Sequence, residues 1–147
     1  NPNFSVAIRE NSYNKSIVDN FINVGASTID FNENIVASFS NFGLNNVDIF
    51  APGYDIYSLM PDNKYDYQSG TSMAAPALTG VASMVLSYFP RLSAAKLKEI
   101  ILESGIEVNL NVKVSEKGNI PFKSISKTGK LVNAYNALIL ASRSKRK

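Results

Sequence analysis

A long stretch without charge constrains this chain most. From Tyr67 to Pro90 there is no Asp, Glu, Lys or Arg. Leu78, Val81, Ala82, Val85, Leu86 and Phe89 recur at helical spacing, while Met73, Met84 and Tyr88 occupy other faces. A helix that is apolar on nearly every side belongs in a core or in a membrane. A membrane span needs about 20 strongly apolar residues. Here Ser72, Pro76, Thr79, Gly80, Ser83 and Ser87 interrupt the run. The stretch therefore predicts a central, buried helix and no membrane span.

Burying such a helix requires a substantial core. The chain has 147 residues, 45% hydrophobic and 18% charged, which suits one domain over residues 1–147 and argues against disorder. The formal net charge is +3, but Arg143, Lys145, Arg146 and Lys147 crowd the last five positions. Without them the body is close to neutral. No aromatic residue interleaves with the basic tail, so it reads as a solvated end and not as a nucleic-acid-binding arm. There is no cysteine and no histidine, which removes disulfides, thiolate metal sites and zinc from consideration. The opening Asn1-Pro-Asn-Phe lacks Met and resembles an internal start.

Residues 1–20 are polar, without a clear period, and read as a loop. Phe21–Ser27 and Val47–Ala51 are short apolar runs that predict buried strands, the second closed by Pro52-Gly53. Ile56–Met60, closed by Pro61-Asp-Asn63, and Tyr65–Gln68 predict two more. Beyond the uncharged run, Ser93 is placed to cap a helix, with Leu92 and Leu97 as a hydrophobic staple. Leu97, Ile100 and Ile101 form its inner face, and Gly105 suits its end. Val108, Leu110, Val112 and Val114 alternate as in a half-buried strand. Ser115–Asn119 is a turn, and Ile120–Ile125 predicts a returning arm, so 108–125 reads as an added, exposed β-hairpin. Leu131–Ala141 predicts a closing helix with Ala134, Leu138 and Ala141 on one side.

Ser72 stands at the predicted strand-to-helix junction. The first turn of a helix presents unpaired N–H groups and the positive end of the macrodipole. An oxyanion forming beside Ser72 would meet both. Gly70 admits close backbone approach, Ala74 and Ala75 keep the helix start thin, and Pro76 is expected in the first turn, where a missing N–H costs little. The same residues also suit a plain N-cap with tight packing. A phosphate site at the helix N-terminus is a further reading, although no Lys or Arg lies between Lys64 and Arg91 and P-loop glycine spacing is lacking.

Gly70-Thr71-Ser72-Met73-Ala74-Ala75-Pro76 resembles the nucleophile motif of the subtilisin-like serine proteases, the subtilases. Phe21-Ile-Asn-Val-Gly-Ala, Ala37-Ser-Phe-Ser-Asn-Phe-Gly and Val47-Asp-Ile-Phe-Ala-Pro-Gly resemble the family's segments ahead of that motif. Leu92-Ser-Ala-Ala-Lys-Leu-Lys and the closing Gly129–Ala141 resemble its later helices. The resemblance spans residues 16–104 and 129–141 in family order and omits the block Val108–Ile125. It implies an α/β fold: the C-terminal portion of a doubly wound, mostly parallel sheet with helices on both faces, the central helix following the nucleophile.

In subtilases the triad runs Asp, His, Ser, with an oxyanion-hole Asn between His and Ser. Only the Ser end is present. Asp48 and Asp55 match no triad motif, and Asn1 and Asn3 lie in an unmatched region, so none is assigned a role. The resemblance thus implies a serine endopeptidase acting through an acyl-enzyme on Ser72, with the base upstream of this segment. Met73 would lie against the nucleophile, where sulfoxide formation adds bulk and polarity. The isolated segment is expected to be inactive and to self-associate through surface left by the missing part. The alternative is a pseudoprotease, a peptide-binding scaffold without a base. Expected partners are a polypeptide substrate and the upstream part of the same catalytic domain. The family further implies an extracellular or cell-envelope location. No cofactor is evident in the residues, and calcium enters by family resemblance alone.

Overall fold

The computed structural model describes residues 20–115 and 117–144. The expected opening loop and most of the basic tail lie outside the described residues. Four short strands form the main sheet. They are β1 (Val24–Ser27), β2 (Ile49–Pro52), β5 (Ile106–Glu107) and β8 (Lys130–Leu131), in the order β1-β2-β8-β5. β1, β2 and β8 run parallel, and β5 is antiparallel to β8. The mostly parallel sheet of the subtilisin-like α/β fold is therefore present. Two antiparallel hairpins stand apart from it: β3 (Ile56–Met60) with β4 (Lys64–Gln68), and β6 (Asn111–Val114) with β7 (Gly118–Pro121). The first turns through Asp62 and Asn63 at φ of 61° and 56°, a conformation these residue types tolerate better than most. Its register sets Tyr57 opposite Tyr67 and Leu59 opposite Tyr65 on one exposed face.

The helices are α1 (Thr71–Tyr88), α2 (Ala94–Ser104) and α3 (Ala134–Ser144). Ser93 caps α2 as expected, its side chain accepting from the Lys96 amide. Leu92 and Leu97 pack on one cluster with Val85 and Ile100. The helix ends at Gly105 at φ −57°, in no left-handed cap. Glycine is needed there for space: a Cβ would stand 2.8 Å from the Leu131 carbonyl oxygen on neighbouring β8. The closing helix starts later than its hydrophobic spacing predicts. Leu131 pairs with Phe50 and Ile106 in the sheet, and Asn133 caps α3 by accepting from the Asn136 amide. Its deepest residues are Ala137 and Ala141.

Strand β2 separates the two halves of the core. Ile49 and Ala51 face one way and pack with Ala26, Ala74, Leu78 and Ile101, beneath α1 and α2. Phe50 faces the other way and packs with Val112, Phe122 and Ile125. This is the period-two alternation of a strand buried on both sides. Among the described residues, all three helices lie on one face of the sheet. The second face is closed by the loop carrying Ile35 and Val36, the β6–β7 hairpin and a short 3₁₀ turn at Phe122–Ser124. Helices on both faces are thus not found among the described residues.

The segment 108–125 also departs from expectation. It is not an exposed appendage, because Val108, Val112, Val114, Phe122 and Ile125 are buried. The alternation reads correctly as half-buried, and its apolar half supplies one wall of the core. Its returning arm stops at Pro121, where the chain turns to drive Phe122 inward.

Helix α1 is not enclosed. Ala74, Leu78 and Val85 are buried, whereas Ala75, Pro76, Thr79, Ser83, Met84 and Ser87 on other faces are exposed. Absence of charge thus overstated its burial within this segment. No helix among the described residues is long and apolar enough to cross a membrane.

Candidate active site

The site is built where the parallel strands end. In open α/β sheets, ligands gather outside the carboxyl ends of such strands. There the Gly53 amide donates to the Ser27 carbonyl at 3.0 Å, and the Gly70 amide donates to the Gly53 carbonyl at 2.7 Å. These two bonds lash the ends of β1 and β2 to the residue that starts α1. Gly53 is buried in this junction. A Cβ on it would lie 2.8 Å from Ala26 Cβ, 2.8 Å from the Gly70 oxygen and 3.0 Å from Ala74 Cβ. None of these neighbours can rotate away. Gly53→Ala should therefore destabilise the protein by about 1–3 kcal/mol, the usual cost of overpacking, read as a lower urea midpoint. It should also lower any activity that depends on the position of Ser72.

Helix α1 begins at Thr71, so Ser72 occupies its second position. The first intrahelical acceptor is the Gly70 carbonyl, bonded by the amides of Met73 at 3.0 Å and Ala74 at 3.3 Å. The Thr71 and Ser72 N–H groups precede it and point out of the helix end. No side chain caps this terminus, so Ser72 is not the plain N-cap that the sequence also allowed. Its hydroxyl is exposed and makes no hydrogen bond among the described residues. Met73 folds back over the junction, its sulfur 3.5 Å from where a Cβ on Gly70 would be.

Pro76 requires a correction. It lies in the sixth helical position, not in the first turn. Its missing N–H is the one that would have bonded the Ser72 carbonyl, four residues back. The helix beside the serine thus lacks one rung.

The acidic residues near the junction have structural roles. Asp48 is buried and accepts from the Asn23 amide at 2.8 Å, while its carbonyl accepts from Thr128. The Asp55 amide donates to Ser69 Oγ at 2.9 Å, and that hydroxyl donates at 3.4 Å to Asp55 Oδ1. This pins the base of the β3–β4 hairpin beside the serine turn. Sequence reasoning missed Ser69 and Gly53 as anchors, since both lie outside the heptapeptide. Among the described residues no group of three or more His, Cys, Asp or Glu side chains converges to hold a metal.

The junction thus sets an exposed serine at the N-terminal end of a helix, at the carboxyl edge of a parallel sheet. Residues 3–129 match the subtilase family, Peptidase_S8. The chain belongs to that family. It is 44% identical to subtilisin DY of Bacillus licheniformis over 52 residues, 35% of this chain and 19% of that protein. It is 34% identical to subtilisin-like protease 2 of Plasmodium falciparum over 93 residues, 63% of this chain and 6% of that protein. Its fold is similar to the A-subunit of the AB5 toxin from E. coli at a TM-score of 0.63 and 31% identity, covering 82% of this chain and 37% of the toxin subunit. A cold-adapted subtilisin-like serine proteinase gives a TM-score of 0.58 at 31% identity, covering 81% and 40%. The chain spans about a fifth, or less, of the curated relatives first matched.

Proposed function

We propose that this chain is the nucleophile-bearing, C-terminal part of a subtilase catalytic domain, and that the full-length protein is a serine endopeptidase. The observation that carries this reading is Ser72: an unbonded hydroxyl within Gly70–Pro76, at the helix end tied to β1 and β2. Ser72 Oγ attacks the peptide carbonyl while a histidine from outside this segment takes its proton. The oxyanion meets the Ser72 backbone N–H and the positive end of α1. The histidine then protonates the departing amine, leaving an acyl-enzyme on Ser72 that water hydrolyses. A general base contributes about 10²–10⁴-fold, so the 147 residues alone are inactive. The uncharged, exposed side of α1 is the surface the upstream part would cover, and the isolated segment would self-associate through it.

The absence of histidine favours a second reading, a pseudoprotease that holds peptides without cutting. A fluorophosphonate probe on the full-length protein separates the two. Covalent labelling that disappears in Ser72→Ala is expected. No labelling of the wild type would leave the scaffold, and labelling that persists in the variant would remove Ser72 from the chemistry. An extracellular or cell-envelope location is in keeping with the relative from Natrialba magadii described as a halolysin-like extracellular serine protease. Fractionation that finds the protein only in the cytosol would refute it.

A further inference from the structure

A groove of about 1130 Å³ opens between the loop after β1, the β3–β4 hairpin and the tip of the β6–β7 hairpin. Its walls include Val36, Pro52, Tyr54 and Tyr67, apolar and aromatic surface of the kind that takes up side chains. Two carboxylates border it, Asp30 and Asp55. Neither is ion-paired among the described residues. Among the described lining residues the one lysine, Lys113, is paired with Glu33. The groove therefore carries uncompensated negative charge on an apolar bed.

The walls are fixed in place. The Lys113 amide donates to the Glu33 carbonyl at 2.8 Å, and Ser115 Oγ donates to the Ser38 carbonyl at 2.8 Å. These bonds tie the β6–β7 hairpin to the loop opposite. On the other side, Asp55 is hydrogen-bonded to Ser69, and Ser69 is three residues from Ser72. One wall of the groove is thus tied by a hydrogen bond to the segment that leads into Ser72. The groove exceeds the usual 300–1,000 Å³ of a small-molecule pocket, room for several residues of a peptide.

We propose that this groove is an auxiliary binding site for the polypeptide substrate, away from the cleaved bond, and that Asp30 and Asp55 select a Lys or Arg in that stretch. The proposal rests on the proteolytic reading of Ser72 for its meaning, yet it can be tested separately. Neutral fluorescein-labelled peptides, with one Lys walked from position to position and each paired with its Gln counterpart, would be bound to full-length Ser72→Ala and followed by anisotropy. One position should favour Lys about five-fold, the range of solvent-accessible charge pairs, and the preference should shrink in high salt. Asp30→Asn with Asp55→Asn should bring the Lys/Gln ratio to about one. Both variants keep the backbone: Asp30 is exposed, and Asn tolerates the φ of 52° at position 55. Equal affinity for Lys and Gln at every position overturns the proposal, as does a preference unchanged in the double variant. Failure of fluorophosphonate labelling strikes the proteolytic reading instead and leaves the binding result standing.

Discussion

Ser72→Ala in the full-length protein should reduce peptide hydrolysis by a factor on the order of 10⁶, the loss known for subtilisin itself when its nucleophile is removed. The same change should leave stability within about 0.5 kcal/mol. The structure separates the two quantities. The Ser72 hydroxyl is exposed and bonds to nothing among the described residues, and no side-chain cap is lost with it. Alanine is also the better helix former. A fall in turnover with an unchanged urea midpoint would therefore locate the loss in chemistry. Substantial turnover remaining in the variant would sink the mechanism. A parallel drop in stability would mean that the serine serves the fold.

The sequence made the site more legible than its surroundings. Gly70–Pro76 reads locally because the requirements on those residues are local: a thin helix start, a hydroxyl and free amides. Ser93 and Leu92 were legible for the same reason. What anchors the site was not legible, because it is made of long-range contacts. Gly53 lies against Ala26, Gly70 and Ala74, and nothing in the turn-like Pro52-Gly53 announces that fit. The uncharged run predicts a buried helix, whereas Ala75, Thr79, Ser83 and Ser87 are exposed along α1. On the proposed function, that lack of charge marks a surface that the rest of the catalytic domain would cover. The late start of α3 had a cue in Asn133, but the apolar spacing of Leu131 with Leu138 outweighed it. Tertiary pairing of Leu131 with Phe50 decided the boundary.

The block 108–125 tests that distinction most sharply. Read as an insertion outside the family pattern, it should be dispensable. Read from the packing, it is half of a core. Phe122 is fully buried, and its ring centroid lies 5.1 Å from that of Phe50 at a tilt of 54°. Phe50 belongs to the strand that carries Gly53 at its end. Phe122→Ala should cost about 3–5 kcal/mol, the usual price of a large aromatic truncation in a core. Against a typical total of about 5–15 kcal/mol, with a urea slope of about 1–3 kcal/mol per M, the midpoint should fall by roughly 1–5 M. The adjacent exposed Lys123 is the internal control, and Lys123→Ala should stay within about 0.5 kcal/mol. Equal, small effects at both positions would make the block an appendage after all. A large effect at Phe122 alone would mean that the hairpin cannot be removed without losing the wall on which β2 rests, and with it the position of Gly53, the start of α1 and Ser72.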